Sequence, residues 1–92
     1  MVEVEVTKHL FTFFPQLRDR ELRVEASTVA EVVAAIEEIA PGFLFYICDE
    51  RGALRQHVNV FIGEERIVDR ARLSDRVAPG VRVLVMQALS GG

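Results

Sequence analysis

The residues best placed to do chemistry are the last four, Leu89-Ser90-Gly91-Gly92. They follow a run, VRVLVMQA (81–88), that reads as a strand. Glycine loses the most entropy on ordering and has no side chain to pack. A Gly-Gly pair is therefore a poor way to finish a fold. It is a good way to make a thin, mobile arm whose reactive group is the α-carboxylate of Gly92. The other candidates are weaker. Cys48 adjoins an apolar run with no His or basic residue assignable beside it, and a reactive thiol needs a thiolate-favouring setting. It reads as a buried structural cysteine. His9 and His57 are far apart, show no ligand spacing, and are expected in solvent or hydrogen-bonding roles. Glu37-Glu38 reads as a solvated helix face and Glu64-Glu65 as part of a turn. No metal-ligand cluster and no phosphate-cradling glycine loop is present, so no metal site is expected.

The elements that must position the arm come from a chain of 92 residues, which fits one domain. Half the residues are apolar and 27% are charged, a globular composition. The net charge of −3 is spread out, with no basic stripe for nucleic acid. Lys8 is the sole lysine among eleven basic residues, so the chain offers few side-chain amines. A lone cysteine cannot form an internal disulfide, which fits a reducing compartment. No apolar run approaches the roughly 20 residues of a membrane helix. The first residues lack the basic-then-apolar order of a signal peptide. A cytoplasmic protein that binds neither nucleic acid nor membrane is expected.

Residues 2–6, VEVEV, alternate at period two and predict a strand with Val2, Val4 and Val6 on one face. ELRVEA (21–26) alternates again, with Leu22 and Val24 inward, and the two make an antiparallel hairpin with a long loop. Thr28 with Glu31 three residues on is a capping-box pattern. Val29, Val32, Val33, Ile36 and Ile39 form a helical stripe, so a helix is expected over 29–40, stopped by Pro41-Gly42. FLFYICDERGAL (43–54) is compact and apolar, then turns at 49–52. HVNVFI (57–62) is a strand with Val58, Val60 and Ile62 on one face and Asn59 and Phe61 on the other. A tight turn at 63–65 leads into a short strand at 66–68, and LSDRV (73–77) is expected as one helical turn. Ala78-Pro79-Gly80-Val81 suits a type II turn, with Pro second and Gly third. The last strand is apolar on both faces, which suits a central place in a mixed sheet. The expected class is α+β: about five strands packed on one main helix.

This order, ending on a strand that runs into Gly-Gly, resembles the MoaD/ThiS family of ubiquitin-like β-grasp sulfur carriers. The resemblance spans nearly the whole chain. It rests on FFPQLR after the first strand, STVAEVVAAIEEIAPGF for the helix, HVNVFIGEE for the hairpin and LSDRVAPGVRVLVMQALSGG for turn, strand and tail. It implies a β-grasp domain over 1–88 and a flexible tail over 89–92. It also implies a protein cosubstrate, free of bound cofactor and monomeric when free. A ThiF/MoeB-type adenylating enzyme would use ATP to activate Gly92, and a thiocarboxylate would follow. That thiocarboxylate would hand sulfur to an acceptor enzyme making a sulfur-containing metabolite or cofactor. One departure stands out. Members of the molybdopterin branch often carry a proline or aromatic pair before the tail, where this chain has Met86-Gln87-Ala88-Leu89.

Gly91 and Gly92 are the expected site, because any Cβ there would widen a thread that must enter a narrow active site. The family alignment turns Val83 and Val85 inward, so Leu84 and Met86 face outward as candidate docking residues, with Phe61 and Leu89 extending the patch. The competing reading buries Phe61 and Leu84 under a loop. Three other functions fit the same chain: the small subunit of molybdopterin synthase, a ubiquitin-like protein modifier, and a plain interaction module.

Overall fold

The computed structural model describes residues 1–87. Strand β1 (Val2–Val6) is followed by two 3-10 turns, Lys8–Thr12 and Pro15–Leu17, and by β2 (Leu22–Val24). Helix α1 (Val29–Ile39) and a short helix α2 (Phe43–Ile47) come next. The chain then forms β3 (Val58–Ile62), β4 (Glu65–Arg66) and β5 (Arg82–Gln87). The sheet order is β2-β1-β5-β3-β4. β5 lies in the centre, parallel to β1 and antiparallel to β3. The edge strands are the shortest two, which leaves little unpaired backbone to recruit another sheet.

Alternation sends one face of β1, β2, β3 and β5 into a single core. Val2, Val4, Val58, Val60, Val83 and Val85 are buried there. Val29, Val32, Val33 and Ile36 of α1 cover them, while Ile39 is only partly buried at the helix end. Thr28 caps α1 through its hydroxyl, which accepts from Glu31 N–H at 3.3 Å. The reciprocal arm is displaced by one residue. Glu31 accepts from the N–H and hydroxyl of Ser27, at 2.7 and 2.8 Å, rather than from the N–H of Thr28.

The expected helical turn over LSDRV does not form. Leu73 takes a left-handed conformation (φ 56°), which no right-handed turn accommodates. The first N–H groups of a helix have no partner within it. Here Val29 N–H donates to the Asp75 carbonyl at 3.0 Å and Ala30 N–H to the Leu73 carbonyl at 2.9 Å. The segment 73–77 is thus a strap across the start of α1, its carbonyls held outside any helix of its own. Asp69 organises its near end. Its carboxylate accepts from the hydroxyl of Ser74 and from the N–H groups of Ala71, Arg72 and Ser74. The expected type II turn is present: Gly80 has φ 85°, and Val81 N–H donates to the Ala78 carbonyl at 3.2 Å.

Three carboxylates hold such backbone junctions, and each lies below its ordinary pKa. Ser27 N–H lowers Glu31, Leu44 N–H lowers Glu37 and the Ser74 hydroxyl lowers Asp69. A group depressed on folding adds stability that is complete above its unfolded pKa and is lost as pH falls through the folded one. The ordinary values are 4.5 for the two glutamates and 3.8 for Asp69. Urea unfolding is therefore expected to show constant stability from neutrality down to that range and a decline below it. The triple variant Glu31→Gln, Glu37→Gln, Asp69→Asn should flatten the decline. Stability that rises on acidification contradicts the assignment.

Candidate functional site

Two features are built around β5: the point where it hands the chain on to residues 88–92, and the sheet face turned away from α1. At the first, Gln87 pairs with Val58, and its N–H reaches the hydroxyl of Thr7 at 3.4 Å. Thr7 N–H in turn donates to the Val85 carbonyl at 3.1 Å. β1 and β5 therefore end, and β3 begins, at the same end of the sheet. The topology brings Lys8, His9 and His57 to that end although they are remote in sequence. His57 is exposed, and His9 packs edge-on against Phe13 with ring centroids 5.6 Å apart. The side-chain carbonyl oxygen of Gln87 is buried and has no partner among the described residues. Leu89, Gly91, Gly92 and the domain boundary expected at residue 88 all lie outside the described residues.

The open face is written by register. Phe61 stands opposite Leu84, Asn59 opposite Met86, and Glu5 flanks Leu84 on the other side. Phe61, Leu84 and Met86 are half-buried, so they are neither core nor free. The Arg66 guanidinium lies 5.9 Å from the Phe61 ring centroid, brought there by the β3–β4 pairing of Phe61 with Arg66. Arg82 is spread between Glu3 at 3.2 Å and Glu5 at 3.5 Å. The result is an apolar strip, Phe61–Leu84 with Met86 beyond, edged by the arginines at 66 and 82. These arginines escaped the sequence reading. The hairpin register across Gly63 finds Arg66 by putting it opposite Phe61, and the β1–β5 register finds Arg82 by putting it beside Glu3.

The remaining candidates fall where their surroundings dictate. Cys48 is buried, and burial pushes its thiol up, further from the thiolate. Glu38 is exposed as expected of a helix face, but Glu37 is not merely solvated: it accepts from Gly42 and Leu44 N–H. Among the described residues no group of three or more His, Cys, Asp or Glu is placed to hold a metal ion, and no helix is long and apolar enough to cross a membrane.

No protein-family model matches the chain, and no curated protein matches it. Solved structures do. A chain of the Amycolatopsis orientalis BexX/CysO complex superposes with a TM-score of 0.83 at 21% identity, covering 100% of both chains. CysO of Mycobacterium tuberculosis gives a TM-score of 0.81 at 21% identity over 97% of this chain and 100% of that one. SAMP1 of Haloferax volcanii gives 0.78 at 22% identity over 99% and 98%. The fold is the ubiquitin-like β-grasp. At these identities the likeness is one of fold, and it is consistent with the MoaD/ThiS resemblance seen in the sequence. In this β-grasp the sheet packs one face on α1, and β5 is the central strand. The described end of β5, Gln87, therefore lies between β1 and β3, at the end of the sheet where Lys8 and His57 lie.

Proposed function

We propose that this β-grasp protein is a sulfur carrier that works through the α-carboxylate of Gly92. A carboxylate is a poor acyl donor because its leaving group is bad. Attack of a carboxylate oxygen on the α-phosphorus of ATP expels pyrophosphate and leaves an acyl-adenylate. A hydrosulfide-level donor then attacks the acyl carbon and expels AMP, leaving a thiocarboxylate. One hard step becomes two easier ones. A partner adenylating enzyme of the ThiF/MoeB type supplies the ATP site. An acceptor enzyme takes the sulfur for a metabolite or cofactor. The chain itself is a cosubstrate and does no catalysis.

The observation that carries this reading is the order of the parts. The Gly-Gly pair follows the central strand of a β-grasp sheet, at the end where three strands converge on Gln87. Fold alone does not license a function. The fold together with the Gly-Gly sequence following β5 supports one. The apolar strip of Phe61, Leu84 and Met86 would be the grip by which the adenylating partner holds the body, with Leu89 continuing it. The test is ATP–pyrophosphate exchange by the adenylating enzyme of the same host. Exchange should saturate with this chain. Leu84→Ser should raise the chain concentration needed at least ~10-fold, a loss of about 1.4 kcal/mol of binding, with an unchanged thermal midpoint. Exchange indifferent to Leu84 moves the grip elsewhere, and no exchange with the wild-type chain contradicts the carrier reading.

A second reading is favoured by one observation: SAMP1 of Haloferax volcanii and of Methanosarcina acetivorans, both similar in fold, are small archaeal modifier proteins. As a modifier, the chain would join activated Gly92 to lysines of other proteins. Higher-mass conjugates that vanish when Gly92 is deleted would establish it.

A further inference from the structure

The sequence FLFYI of α2 is apolar all round. Such a helix is ordinarily buried all round. Here only Phe43 and Ile47, one turn apart, enter the core. Leu44 is 42% exposed and Phe45 68%, and the half-exposed Phe13 extends the surface by stacking on Tyr46 at 5.0 Å. These residues belong to the connection between α1 and β3. They are separate from the Phe61–Leu84 strip on the open face of the sheet.

The exposed pair is held in place. Glu37 accepts from Gly42 N–H at 3.0 Å and Leu44 N–H at 2.8 Å, fixing the start of α2. Arg55 donates through Nε and Nη2 to the Phe45 carbonyl, at 3.2 and 2.9 Å, and its guanidinium lies 5.4 Å from the Phe45 ring centroid. Asp49 accepts from Arg51 and Ala53 N–H and fixes the turn that follows. Beside Phe45 lies a hollow of about 410 Å³, lined by Leu44, Phe45, Gly52 and the acidic residues Glu37, Asp49 and Glu50. A hollow lined by Leu44 and Phe45, whose charged lining residues are all acidic, asks for an occupant that buries an apolar side chain and brings positive charge beside it.

We propose that α2 forms a second docking surface, which takes a segment of another protein carrying an apolar anchor beside arginines or lysines. The acidic lining selects the sign of the segment, and Leu44 and Phe45 supply the contact area. Nothing in this surface uses Gly91 or Gly92, so the proposal stands independently of the carrier reading.

The test is an NMR titration of the full 15N-labelled chain with a short amidated peptide that sets a leucine pair between arginine pairs. Saturable shifts are expected at residues 42–52, with a dissociation constant of about 0.1–1 mM for so small a ligand. The same peptide with glutamates for arginines, or serines for the leucines, should bind at least ~10-fold more weakly. Leu44→Ser with Phe45→Ser should abolish the shifts, while thermal unfolding confirms that the variant folds. Deleting Gly92 should change nothing. The proposal is overturned by absent shifts, by shifts confined to the sheet face, or by equal binding of all three peptides. Concentration-dependent shifts at 42–52 without peptide would also overturn it, because a second copy would then cover the surface.

Discussion

Gly92→Ala will cut thiocarboxylate formation at least ~10-fold, about 1.4 kcal/mol on the barrier, and leave the thermal midpoint where it was. The two halves of that result have different causes. On the carrier proposal, formation falls because the tail must thread one active site to be activated and another to deliver sulfur. A Cβ at the reacting residue widens the thread and removes backbone conformations that glycine alone adopts. The midpoint is expected to hold because a methyl group at residue 92 removes nothing from the core of the described residues, which runs from Val2 to Val85. Assay by intact mass with the adenylating enzyme and a sulfur source separates the two. Equal turnover by the alanine variant would sink the threading argument. A lowered midpoint would mean that the tail contributes to the fold.

Phe43→Ala will have the largest effect on stability. The side chain is fully buried and meets Phe14 edge-on, with ring centroids 5.6 Å apart. Phe14 in turn meets Tyr46 at 5.6 Å, so the ring at 43 ties the loop after β1 to α2. Truncating a buried phenylalanine costs about 3–5 kcal/mol through lost transfer energy and the cavity left behind. That is a large part of the ~5–15 kcal/mol that holds a domain of this kind together. For a domain of this size each kcal/mol moves the midpoint by about 4–8 °C, so a fall of at least about 12 °C is expected by circular dichroism. A fall of a degree or two would mean that the cavity collapses freely and that α2 is not anchored by Phe43. The exposed pair Leu44 and Phe45 would then lose the rigid base that makes them a surface.

The sheet was legible because its signals are local. Val2 and Val4, and Val58 and Val60, alternate and fall on the buried face; Val83 and Val85 alternate too, but their strand is apolar on both faces, and the family resemblance chose the inward one. The stripe of α1 and its Thr28 cap are as direct. The features that were not legible depend on partners remote in sequence. Residues 73–77 carry a pattern that suits a helical turn, but the start of α1 claims their carbonyls. FLFYI has no period over five residues, so which side chains face out is decided by where Phe14 and the core lie. Glu37 looks like a solvated helix residue until the left-handed Gly42 turns the following N–H groups back onto it. Around the candidate site, the outward face of β5 followed from the family resemblance together with alternation. Its neighbours Arg66, Asn59 and Glu5 could not, since they are set by strand register.

The most direct test of the central claim is the intact mass of this chain after incubation with ATP, a sulfur source and a lysate of its host. The carrier account predicts a gain equal to exchanging one oxygen for one sulfur, mapped to Gly92 and absent when Gly92 is deleted. An unchanged mass, with a control carrier thiolated in the same lysate, would contradict it and leave an interaction module with an idle tail.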